Sequence, residues 1–139
     1  MKDLRECHSK VLGYFLIISN LLLFIFNYME VSTYFKKLGS ESLIWKTLSE
    51  IIPVHIVSIS LGVISLSLCN GLANARPKAS FFWLVLCLFL LGDSIYILSV
   101  QFHIFVLLKS LFFAYITGYA LLIYRQKTDE SLDDKLPNR

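Results

Sequence analysis

Apolar residues fill four long runs, at about 11–29, 51–72, 80–100 and 102–124, separated by polar breaks of unequal length. Each run is close to the ~20 residues that a helix needs to cross ~30 Å of hydrocarbon. The second break is short and basic, holding Arg76-Pro77-Lys78, and the third is a minimal turn near Gln101. The last fifteen residues, RQKTDESLDDKLPNR, are polar and are expected to fray. The first run follows a head, MKDLRECHSK, that contains two acids, and no small-x-small cleavage site comes after it. It therefore reads as a retained helix rather than a signal peptide.

The first break, EVSTYFKKLGSESLIWKTLSE over 30–50, has its own pattern. Gly39 interrupts it, and Ser40 is a residue type that caps a following helix. Leu43, Ile44 and Leu48 then share one face with Trp45 beside them, while Glu41, Lys46 and Glu50 take polar positions. That spacing predicts a short amphipathic helix lying in the membrane interface. The expected fold is an all-α membrane protein: one domain over 1–139, a four-transmembrane-helix bundle with this short helix in its first outer loop. Tyr34, Trp45, Trp83 and Tyr124 stand near run ends, where belt aromatics are expected.

Composition agrees. Hydrophobic residues make up 56% of the chain and charged ones 17%, against about 45–50% and about 25% in ordinary soluble domains. A chain of 139 residues has too much surface for its volume to hide that apolar content from water. Lipid is therefore the expected partner. The net charge of +3 is small and scattered, so nucleic acid is not expected. Lys2, Arg5, Lys10, Arg76, Lys78, Arg125, Lys127, Lys135 and Arg139 fall on one side of a four-span topology, and only Lys36, Lys37 and Lys46 on the other. Cytoplasmic loops carry the excess of Lys and Arg. Both termini are thus expected in the cytoplasm, and the protein in the plasma (inner) membrane.

Candidate chemistry is sparse. Cys7, Cys69 and Cys87 have neither zinc-site nor redox-pair spacing. Nucleophile elbows and phosphate-binding glycine loops are absent from the sequence, and no metal or cofactor is expected. The notable stretch is LLGDSIYILSVQFHIFVLLKSLFF, residues 90–113, in which Asp93 and Lys109 each lie eight residues from Gln101. In a hairpin turning at Gln101 both would sit roughly 12 Å along their helices, at matched depth. A lone charge at helix centre costs about 2.5–3.5 kcal/mol, so an intramembrane charge pair is expected.

With helix one running outward, Asn27, Glu50, His55, Gln101 and His103 join this pair toward the outer leaflet, as a polar cavity or a hydrogen-bond cluster would require. Close helix packing is expected at Gly13 and Asn20, at Ser58 and Gly62, and along Ser110, Ala114 and Gly118. Two functions fit. One is a non-catalytic accessory, assembly or immunity-type subunit that binds another membrane protein or a second copy of itself. The alternative is a small oligomeric transporter or channel, coupled to ions or protons, using the outward polar groups.

Overall fold

A computed structural model describes residues 2–133, and all its regular elements are helices: α1 Lys2–Lys37, α2 Ser42–Ser67, α3 Cys69–Ala73, α4 Pro77–Val100 and α5 Ile104–Asp133. Four stretches, Leu4–Lys37, Ser42–Ala73, Pro77–Val100 and Ile104–Glu130, are long and apolar enough to cross a membrane. The chain groups into two compact units, one of 10–67 and one that joins the first turns of α1, through Ser9, to the part from Leu68 onward.

Helix ends follow local backbone chemistry. α1 closes at Gly39 (φ 67°). There the Ser40 N–H donates to the Phe35 carbonyl at 3.0 Å and the Gly39 N–H to the Lys36 carbonyl at 3.2 Å. This is the paired 6→1 and 5→2 arrangement that satisfies terminal carbonyls and calls for a left-handed residue. The same pattern ends α3. The Arg76 N–H reaches Gly71 at 2.9 Å and the Ala75 N–H reaches Leu72 at 3.0 Å. Here the left-handed position is occupied by Ala75 (φ 56°), whose Cβ makes that conformation costly. Pro77 then opens α4, where its missing N–H is harmless.

Three departures from the sequence reading share one cause. Residues 42–50 are not a separate amphipathic helix but the first turns of α2, with Ile44 and Leu48 buried. The N-terminal head is helical from Lys2, and α5 continues to Asp133. Polar residues end the runs by hydropathy, but nothing in these stretches breaks a helix. α2 even passes through Pro53, which leaves the Ser49 carbonyl without its helical donor. Lys135 and Arg139 lie outside the described residues.

In the unit of 10–67, α1 and α2 meet at Gly13 and Gly62. A Cβ on Gly62 would stand 2.9 Å from the Gly13 carbonyl oxygen, and one on Gly13 would stand 2.9 Å from the Gly62 carbonyl oxygen. The obstruction is backbone, which cannot rotate away. In the other unit α4 and α5 form the hairpin, and Gly71 admits the Ala79 methyl group where its own Cβ would come within 2.6 Å.

Two contrasts test these points by unfolding of the protein in detergent or bilayers. Ala75→Gly should stabilise and Gly39→Ala destabilise, each by about 1 kcal/mol. Gly62→Ala should destabilise by about 1–3 kcal/mol, whereas Gly118→Ala, with open space around it, should be neutral or favourable by up to ~1 kcal/mol through helix propensity.

Candidate functional site

The polar side chains carried by the apolar helices mostly find partners inside the chain. In the unit of 10–67 the centre is His55, buried on α2 and bracketed by two asparagines one heptad apart on α1. Its Nδ1–H donates to the Asn20 Oδ1 at 3.1 Å, and the Asn27 Nδ2–H donates to its Nε2 at 3.4 Å. Asn20, itself buried, spends its own amide N–H on the Leu16 carbonyl at 2.8 Å. The edge of the imidazole meets Phe24, with ring centroids 5.9 Å apart. With the two amides so placed, the ring donates from Nδ1 and accepts at Nε2. A heptad spacing brings both amides to one face because seven residues are close to two helical turns.

In the other unit the α4–α5 register rests on hydroxyls. Ser94 donates to Ser110 at 2.6 Å, and Ser110 donates onward to the Val106 carbonyl at 2.8 Å. One stage further in, the Thr117 hydroxyl reaches the Cys87 carbonyl at 3.2 Å and that of Phe113 at 2.7 Å. Both cross-helix pairs are centred on Phe102. The turn is therefore where the sequence places it, over 101–103, and the Ser94–Ser110 bond marks a level that Asp93 and Lys109 flank, nine and seven residues from Phe102 and so about 3 Å apart in height.

The two charges do not meet directly at that level; among the described residues the Ser94–Ser110 bond takes the place expected for them. Asp93 is exposed on α4. Lys109 is half-buried, with its ammonium 5.6 Å from the Phe113 ring centroid and within electrostatic reach of Asp93.

Other expected site residues are distributed more widely. Asn27 and His55 come together, whereas Glu50 is exposed on α2 and Gln101 is exposed at the end of α4. His103 acts locally, its Nδ1 accepting the Phe105 N–H at 3.2 Å and so capping α5. Among the packing positions, Gly13, Asn20, Gly62 and Ser110 are buried and Ser58 is half-buried, but Ala114 and Gly118 face outward. A row at intervals of four rotates by about 40° per step around a helix. The buried seam of α5 instead follows Ser110, Phe113, Thr117 and Ala120, alternating intervals of three and four.

One cluster is absent from the sequence reading. His8, buried in the first turns of α1, donates from Nδ1 to the Leu4 carbonyl at 2.7 Å and accepts the Tyr115 hydroxyl proton at Nε2, 3.0 Å away. Its ring stacks on Tyr119 with centroids 3.9 Å apart, and Trp83 meets Tyr119 edge-on at 6.4 Å. Trp83 is 0% exposed, so it is a core residue and not a belt aromatic. The Tyr115/Tyr119 spacing of four is a usable signal, but only once the polar head is recognised as helix.

A double-mutant cycle tests the His55 network. Asn20→Ala and His55→Ala should each lower stability, with a coupling of about 0.6–1.7 kcal/mol, the range for hydrogen bonds between membrane helices; additive losses would show that the two side chains act separately. No protein-family model, no curated protein and no solved structure matches this chain.

Proposed function

We propose that this chain is a non-catalytic membrane subunit of accessory, assembly or immunity type, which docks on another membrane protein through the face of α4 that carries Asp93. The carrying observation is that carboxylate. It is exposed within an apolar helix, seven residues from the helix end at Val100 and so roughly 10 Å along it. At such depth an uncompensated charge costs about 2.5–3.5 kcal/mol, which a cation on a partner would offset. Gly92 beside it leaves open space, and Tyr96, one turn on, is 68% exposed. Lys109, about 3 Å nearer the turn and held over Phe113, makes the patch dipolar. The apolar windows of the four helices are only 17% to 33% buried, which leaves wide surface for lipid and for a partner helix.

In this reading the four spans bundle in the plasma (inner) membrane with both termini cytoplasmic, and the start of α2 (42–50) lies in the outer interface. A second reading, an oligomeric ion- or proton-coupled transporter or channel, is favoured by His55 alone, a buried imidazole engaged at both nitrogens by amides that can invert.

A photocrosslinker at Tyr96, compared with one at Ile64 on α2, separates them in native membranes. Docking predicts a discrete protein adduct from position 96, weakened by Asp93→Asn or Lys109→Met alone more than by the two together. An adduct to a second copy would identify a homo-oligomer as the partner. Lipid adducts only, together with a pH-dependent flux in proteoliposomes that His55→Phe abolishes, would replace this reading by the second.

A further inference from the structure

The unit that contains α3, α4, α5 and the first turns of α1 brings two cations and three unpartnered buried donors together at one end, among the described residues. A cavity of about 160 Å³ lies there, lined by Pro77, Ser80, Tyr124, Lys127 and Thr128. Lys127 is its charged wall, and Arg5 on α1 is within electrostatic reach of both Lys127 and Tyr119. Two cations in one place repel unless something negative stands between them. Glu130 is the acid that acts on Lys127.

A separate mark lies in the core next to these helix ends, outside the cavity's own lining. The Nε of Arg5, the Nε1 of Trp83 and the hydroxyl of Tyr119 are buried with no hydrogen-bond partner. Trp83 is three residues along α4 from Ser80, and Tyr119 five along α5 from Tyr124, so about 5 Å and 7 Å further in. Buried polar groups are nearly always paired, and three donor-bearing exceptions in one cluster call for a cause. Pro77 also sets the positive end of the 24-residue α4 at the cavity rim, and exposed Arg76, Lys78 and Arg125 stand beside it in the chain.

We infer that this cavity binds a phosphate monoanion, that of an anionic phospholipid headgroup, with Lys127 as its charged wall and Arg5 adding to the positive field from behind it. The aromatic rim, where Phe81 and Tyr124 pair at 6.3 Å, suits the glycerol end of such a lipid better than a free ion in water. Glu130 competes with the phosphate for Lys127, so removing its charge should tighten binding.

The test uses the full chain in neutral detergent, with phosphatidylglycerol, phosphatidylcholine or inorganic phosphate added, read by native mass spectrometry and by the shift in Tm. Phosphatidylglycerol should be retained and should raise Tm, and phosphatidylcholine should do neither. Arg5→Gln with Lys127→Gln should weaken retention at least about tenfold, a loss of ~1.4 kcal/mol, while Lys127→Arg keeps it and Glu130→Gln improves it. Lys36→Gln with Lys37→Gln, at the far end of α1, should leave it unchanged. Helicity by circular dichroism confirms that each variant is folded. Inorganic phosphate giving the whole effect would overturn the lipid as source and leave the anion site. Equal retention of both lipids, or equal losses from the Lys36/Lys37 variant, would overturn the site itself.

Discussion

A hydrogen-bonding side chain buried between apolar helices has no water to fall back on, and this one constraint organises both units of the molecule. In the first, His55 sits buried on α2 with an α1 amide at each of its two nitrogens. In the second, Ser94 and Ser110 answer each other and Thr117 answers to carbonyls, so that α4 and α5 have a single favourable alignment. Sliding either pair by one residue would leave buried donors unanswered at about 1–3 kcal/mol each. Apolar packing alone sets no such register, because lipid tails compete for it on equal terms.

Close backbone approach is the complementary device. At Gly13 and Gly62 each glycine's missing side chain is the other's carbonyl space, which makes van der Waals contact between α1 and α2 continuous where a methyl group would wedge it open. The polar contacts of His55 lie on the same two helices. Small residues supply the proximity and amides the direction.

The parts legible in the sequence are those where lipid and water impose opposite demands, or where a backbone needs a particular residue. The spans, the Gly39 break, the Pro77 start and the turn at 101–103 all belong to this kind. Hydropathy reports which solvent a residue prefers and not whether it is helical, so it cannot show that the head, the stretch 42–50 and the α5 extension continue the helices beside them. Depth is legible for Asp93 and Lys109 only to about 3 Å, because the hairpin centres on Phe102 and not Gln101, and azimuth is not legible at all: residues one position apart, at 93 and 94, differ by about 100° around the helix. The cross-helix bond thus falls to the serines while the charges take other faces. His8 gives no local signal because its partners Tyr115 and Tyr119 are over a hundred residues away. Trp83 gives none because proximity to a run's end says nothing about which side of the helix it occupies.

The length of α1 has a consequence of its own. Thirty-six residues in one unbroken helix extend about 54 Å, while hydrocarbon is about 30 Å thick. Across a bilayer such a rod would lean away from the normal or stand proud of it, and the basic residues Lys10, Lys36 and Lys37 would limit how far either end could sink. Thickening or thinning of the surrounding membrane would then be met by a change of tilt in α1, making this helix the element through which membrane thickness is felt.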